Sequence, residues 1–344
     1  MSEWMIYLAF AVVALLPLLP GLRELLAARD DEALHIDMGY TRDPRYLGKT
    51  MREKARPVVE KNPPGTNLRF LNRRLEFARV VEKLELPNKT QIAEVLLSQG
   101  PLSTGNNSKL LDVYAQGEVS VGEESSVRAI AADGDARLGA RVSVTRWIDS
   151  EKNLTVGSGS NLGQSAAASG ILALAGGVAF KRLFGNPVVI GERVQPRPVE
   201  TSFGASLIGV AKGTREVSRG GRRVAPFQTV SADIVAHGDV EICHNALVEG
   251  SIKASGSVII GADARITGNI IARRNVKIAA RGTVLGHVFA EQDVHVGPSV
   301  TLGAPWAPKT LQASGSMNIA RGATMYGWVI SERGGTTEEE RSLA

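Results

Sequence analysis

The sequence predicts an all-β fold: a parallel β-helix with 18-residue coils, preceded by an N-terminal transmembrane helix and a short helical segment. Three observations carry this reading. Apolar columns recur every eighteen residues in the last third of the chain. Glycine reaches 37 of 344 residues while aromatics stay at 5%, a profile of thin stacked β structure rather than a compact enzyme. Residues 4–22 form an uncharged apolar run.

That run, WMIYLAFAVVALLPLLPGL, lacks any charge and at 1.5 Å per residue nearly crosses a hydrocarbon core of about 30 Å. Trp4, Tyr7, Phe10, Leu15, Leu19 and Leu22 are its expected lipid-facing or interfacial residues. Pro17 and Pro20 are tolerated inside a membrane span. Only Ser2 and Glu3 precede it, while Arg23 and Arg29 follow, so the positive-inside rule puts the body in the cytoplasm. The expectation is an anchor over 1–28 in the inner (cytoplasmic) membrane. A cleaved signal peptide ending near Ala27-Ala28 is the alternative, although the basic leader is missing.

Residues 29–65 read as a basic juxtamembrane linker. Arg42, Arg45, Lys49, Arg52, Lys54 and Arg56 outnumber Asp43 and Glu53, enough to attract anionic lipid, or simply to be solvated. Asn62-Pro63-Pro64-Gly65 ends the segment. Over 66–104 the spacing of Phe70, Phe77, Val81 and Leu84 predicts a helix up to Pro87. Asn88 and Gln91 resemble a capping box for a second, short helix through Leu97.

Residues 105–194 predict a degenerate β-rich or β-helical domain. Val119, Val121 and Val127 share offsets with Leu154, Val156 and Leu162, followed by Leu172 and Leu174 and by Val188 and Ile190. The apolar run 166–180 is too short for a second span and reads as buried strands or a short helix. Residues 195–223 read as a linker or loop, with Arg219, Arg222 and Arg223 available to an acidic partner or to solvent.

The repeat occupies 224–330. Val240, Val258, Val276 and Val294 form one column, and Ile242, Ile260, Ile278 and Val296 form a second. Val248, Ile266, Val284 and Leu302 form a third, and Ile252, Ile270 and Val288 a fourth. Gly250, Gly268 and Gly286 align in the frame apolar-x-Gly-x-apolar. Upstream, Val230, Ala232 and Ile234 continue the frame; downstream, Met317, Ile319, Met325, Gly327 and Val329 regain it after a shift of 23, around Pro305-Trp306-Ala307-Pro308. Pairs at i and i+2 are the mark of a half-buried strand, and three short faces per coil give a triangular ladder of parallel strands. A single coil buries too little to stand alone, so each needs neighbours on both sides. The polar tail 331–344 offers no capping helix, which leaves the last coil to be covered by another copy. Met317, Ile319, Met325, Trp328, Val329 and Ile330 are the expected polymerisation interface.

The repeats GDVEICHNALVEGSI, GSVIIGADARITGNI and RNVKIAARGTVLGHV resemble those of bactofilins, the polymer-forming bacterial cytoskeletal family, over about 224–330. The resemblance implies a right-handed β-helix, nucleotide-free self-assembly, association with the cytoplasmic membrane, and scaffolding of envelope, cell-wall or cell-shape proteins. The hydrophobic anchor and about 120 additional residues before the matched region depart from a minimal bactofilin.

Other functions are less well supported by the residues. A formal charge of +5 from 40 basic and 35 acidic residues argues against a nucleic-acid partner. The single cysteine, Cys243, excludes a disulfide framework. Left-handed hexapeptide acyltransferases also use 18-residue coils, and His237, His244, His287 and His295 are candidates for a general base. Gly157-Ser158-Gly159 with Gly163 lacks dinucleotide spacing, and there is no Walker lysine or HExxH. The expectation is a scaffold that is no enzyme and uses no cofactor or metal. The alternatives are a hexapeptide-repeat acyltransferase and, if the leader is cleaved, an envelope-facing adaptor.

Overall fold

The computed structural model describes residues 43–72, 74–191 and 215–338, together with Trp4, Tyr7 and Phe10. The chain divides into two units, Met1–Arg42 and Asp43–Ala344. In the first, Trp4, Tyr7 and Phe10 are helical and exposed; the rest of the expected anchor, including Leu15, Leu19 and Leu22, lies outside the described residues. Among the described residues no helix is long and apolar enough to cross a membrane.

The second unit is a β-solenoid of about 13 turns in which the strands join into one 32-stranded sheet. It consists of two ladders, residues 67–190 and 215–338. In the second, the columns read from the sequence are hydrogen-bonded neighbours in register: Val240 on Val258, Val258 on Val276, Val276 on Val294 and Val294 on Met317. Strands such as Val258–Ile260 and Val276–Ile278 alternate buried, exposed, buried. Their β-branched inward residues stack along the axis, as pleated geometry favours.

Two kinds of corner turn the chain. At one, a residue takes the left-handed conformation in every coil: Asn245, Asp263, Arg281 and Ser299 have φ of 56–59°, and Gly322 replaces them at 81°. Asparagine, aspartate and glycine tolerate this region best. At the other corner stands the Gly250, Gly268, Gly286 column. A Cβ on Gly268 would lie 2.4 Å from the Gly250 carbonyl, so successive backbones meet there too closely for any side chain. Polar side chains bridge coils at the corners: Asn269 Oδ1 accepts from the His287 N–H (2.8 Å), and Asn275 Oδ1 from the Asp293 N–H (3.0 Å).

The first ladder is a β-solenoid, the β-helical form of the domain expected there, and it begins earlier than expected. Leu84, Leu102, Val119, Ala136, Leu154, Leu172 and Val188 form one continuous column. Its steps of 17 and 16 residues among steps of 18 blur the period in the sequence. The 166–180 run becomes parts of three strands, Ser165–Ala168, Leu172–Leu174 and Ala179–Ile190.

The helices expected over 66–104 are strands. Asn67–Asn72 and Arg74–Val81 form an antiparallel hairpin, followed by Leu84–Leu86 and Val95–Ser98. Phe77 is exposed while Ala78 and Val80 are buried, so alternation, not helical spacing, sets the burial. Asn88 does not cap a helix: its Oδ1 accepts from the Asn106 N–H one coil on (2.8 Å).

The helix is instead Tyr46–Lys61, within the expected linker. Met51, Ala55 and Val59 recur at its buried face and pack on Val95, Leu97, Tyr114, Ala131 and Trp147, the outward side chains of one ladder face. Leu96, Val113, Ile130 and Ile148, the intervening residues, point into the solenoid core. That face is therefore buried on both sides.

The sealed junction and the first coil of the second ladder

The two ladders meet at their C-terminal ends. Ala179–Ile190, the last strand of the first ladder, runs antiparallel to Thr324–Thr337, the last strand of the second. Both strands are long because each follows the triangular outline through its corners. Ala179 lies opposite Thr336, Leu183 opposite Val329, Phe184 opposite Trp328 and Val188 opposite Met325, with register shifts at the two bends. Thr337 donates its N–H to Val178 O (3.0 Å), and its Oγ1 accepts from the Val178 N–H (2.9 Å). At the other end of the contact, the Ile190 N–H donates to Ala323 O (3.0 Å). The Phe184 and Trp328 rings meet edge to face, 6.3 Å between centroids.

Inside this seal the cores merge. Phe180, Leu183, Val188 and Ile190 belong to the same buried cluster as Met317, Ile319, Met325 and Val329. Met325 and Met317 are each 2% exposed and Val329 and Ile319 are 0% exposed. Trp328 and Ile330 face outward and are half-buried. The expected polymerisation interface is thus covered by the chain's own first ladder. The bare last coil read from the tail is corrected: unpaired strand edges are costly to leave open, and here a second ladder in the same chain satisfies them. No signal in the residues after 330 announces this, because the partner strand lies some 150 residues upstream.

The opposite end of the second ladder is built differently. Its first coil comprises Arg215–Ser218, Arg222–Val224 and Thr229–Val230, part of which was expected to be linker. Among the described residues these strands pair on one side only, with Asp233–Ala236, Val240–Ile242 and Leu247–Val248. Register puts Glu216 over Ile234 and Arg222 over Val240, so both occupy inward columns. There the Arg222 guanidinium meets the Glu216 carboxylate at 2.8 Å, across the end of the apolar core. Val217 (62% exposed) and Phe227 (73%) are the coil's exposed apolar residues. Phe227 takes the left-handed corner, φ 60°, and its ring stands edge-on to His244 at 5.4 Å.

A third constellation holds the helix. Asp149, 2% exposed, accepts from Arg45 Nε (2.9 Å) and Nη2 (2.8 Å), and also from Arg52 Nη1. Arg52 donates further to Asp133 Oδ1 (3.0 Å) and Ala132 O (2.7 Å), and Arg56 to Asp133 Oδ2 (2.8 Å). Burial works to lower the Arg45 pKa, but the bonds to Asp149 and Glu151 outweigh it and hold the guanidinium charged. Three of the six basic residues expected to face lipid or water are therefore spent on carboxylates of the first ladder.

The candidate catalytic residues do not converge. His237, His244 and His287 are exposed and His295 is half-buried; His237 and His244 flank the strand Val240–Ile242 of one coil, and His287 and His295 lie more than forty residues further along the chain. His287 Nδ1 accepts from the Thr310 N–H (3.1 Å), a structural bond across the bulged coil. Among the described residues no group of three or more His, Cys, Asp or Glu is placed to hold a metal ion.

The second ladder has parallel register within it, an 18-residue coil except for the 23-residue step around Pro305-Trp306-Ala307-Pro308, and the Gly250, Gly268, Gly286 corner. Residues 223–329 match the family model described as Bactofilin, polymer-forming cytoskeletal. The chain carries a bactofilin domain. The first ladder lies outside the matched residues, although it shares the bactofilin domain's coil size and left-handed corner. No curated protein and no solved structure matches the chain.

Proposed function

We propose that this chain is a membrane-anchored component of a polymer-forming cytoskeletal scaffold, associating with itself through solenoid ends and having no catalytic role. The observation that carries the reading is the bactofilin domain at 223–329, a structural family, on an unbroken ladder whose first coil pairs on one side only among the described residues. Residues 4–22 supply the anchor, which leaves the solenoid in the cytoplasm beside the inner membrane, and the family resemblance makes the coil right-handed. Partners of this scaffold are membrane lipid and envelope or cell-wall proteins.

The test uses the full-length chain in detergent. Sedimentation and negative-stain microscopy at rising concentration should show species larger than one chain; a monomer throughout overturns the reading. A reporter that fluoresces only in the cytoplasm, fused after Ala344, tests the topology: a dark fusion removes the cytoplasmic placement.

A further inference from the structure

We infer that the first ladder is a built-in cap on the tail of the bactofilin domain, so that this chain assembles through one end only and closes as a two-chain rod. This rests on the self-association proposed above and specifies which end is used and how far assembly proceeds.

The tail is closed by three-sided antiparallel pairing and a shared core, with Met325, Val329 and Ile319 no more than 2% exposed. Another copy reaches these residues only by displacing the first ladder. At the far end of the first ladder, the hairpin Asn67–Asn72 with Arg74–Val81 breaks the parallel series, and the Lys83–Glu85 ion pair (2.9 Å) marks the edge strand Leu84–Leu86 with charge. Charged residues on an edge oppose continued pairing. Among the described residues the remaining end is the coil 215–230.

The chemistry of that coil selects a second copy as its occupant. The sealed junction demonstrates how an end coil of this solenoid is completed, by antiparallel strands from a facing end coil. Glu216 and Arg222 both stand in inward columns, so a two-fold contact that sets one copy's Glu216 strand against its mate's Arg222 strand brings opposite charges together on the same face. Glu216 and Arg222 lie across the end of the core, which no described strand covers. In a two-fold contact each Glu216 faces the mate's Arg222. Each chain has one such end, so a two-fold contact uses both and leaves nothing to extend. Charges at the centre of the contact make it weaker than an apolar one and sensitive to salt.

The experiment locks the tail and varies the tip in the full-length chain. Phe184→Cys with Trp328→Cys places cysteines at directly opposed positions of an antiparallel pair, within the Cα separation a disulfide spans. The oxidised variant should still form a two-chain species that stops growing with concentration, rods roughly twice the ~60 Å expected for 13 turns at about 4.8 Å each. Glu216→Arg should weaken association at least tenfold. Glu216→Leu with Arg222→Leu, which continues the apolar columns, should strengthen it at least tenfold and remove the salt dependence. Loss of assembly on oxidation, or filaments that lengthen with concentration, overturns the cap. Tip variants that leave association unchanged overturn the tip contact. A monomer in every condition fails the self-association reading itself, and is distinguished from failure of the cap because no assembly exists to be limited.

Discussion

The Phe180 ring tip lies against the backbone of Gly335, so close that a Cβ on residue 335 would fall 2.3 Å from the ring Cζ. Phe180 is 2% exposed and has no room to withdraw. This contact ties the end of one ladder to the end of the other at the point where Phe180 and Gly335 are register partners. Gly335→Val should therefore open the seal locally and cost about 1–3 kcal/mol, the usual penalty for overpacking a filled site. Thermal unfolding would report the loss, and faster proteolysis within 331–338 would locate it.

The glycine corner gives a second, sharper expectation. Gly268 sits between Gly250 and Gly286, and a Cβ there meets main-chain atoms at 2.4 Å, which cannot swing aside. Gly268→Val should destabilise the second ladder by more than about 2 kcal/mol, while Ile271→Val on the outward face of the same coil should change little. Denaturant midpoints for the pair would test the contrast.

Removing Asp149 takes from two buried guanidinium groups, Arg45 and Arg52, the buried carboxylate they share, leaving them only the more exposed Glu151 and Asp133. Breaking one side of a buried ion pair commonly costs about 3–5 kcal/mol. Asp149→Ala should release the helix Tyr46–Lys61 before the solenoid melts, read as Trp147 fluorescence shifting to the red ahead of the loss of β circular dichroism. Simultaneous loss of both signals would contradict an independent docking of the helix.

Alkaline pH should release the same helix. Burial pushes the Tyr114 phenol up to about 12, opposed in part by the nearby Arg56, while the unfolded phenol titrates near 10. The folded state thus holds a proton that the unfolded state loses, so stability is full below pH about 10 and declines toward about 12. Tyr114→Phe should abolish that decline. At the acid side, burial and Lys309 hold the His287 pKa below its ordinary value, consistent with a neutral ring accepting from Thr310. Its contribution is present above about pH 6.5 and is lost as pH falls through the depressed value, seen as faster amide exchange at Thr310.

Phe227 is the one aromatic residue in the left-handed corners of the second ladder, where its counterparts are Asn245, Asp263, Arg281 and Ser299. Bulky side chains pay for that conformation. Phe227→Asn should raise the melting temperature by a few degrees, equivalent to about 1 kcal/mol; a fall would mean that the edge contact with His244 outweighs the strain.

The sequence disclosed what repeats locally and hid what depends on distant partners. The second ladder was legible because Val240, Val258, Val276 and Val294 stack at a constant interval. The first was blurred where Leu102, Val119 and Ala136 are 17 apart and alanine replaces a larger residue. The helix is hidden in the sequence because Arg45 precedes it and Arg52 sits on its buried face, and their counter-charge, Asp149, lies about a hundred residues away. Phe70, Phe77, Val81 and Leu84 fit a helical period by coincidence, and only the hairpin shows Phe77 turned to solvent. The seal was illegible for the same reason as the ion cluster: SERGGTT gains its meaning from Phe180 and Val178.

Because the two ladders meet tail to tail, the winding of the chain reverses at Leu183 and Val329. Both outer ends of the rod are starting coils. A traveller moving along it would find no arrow to follow, since the backbone runs toward the middle from either side. Anything that reads this body from the outside must recognise what each end carries, since the direction of the thread is the same at both.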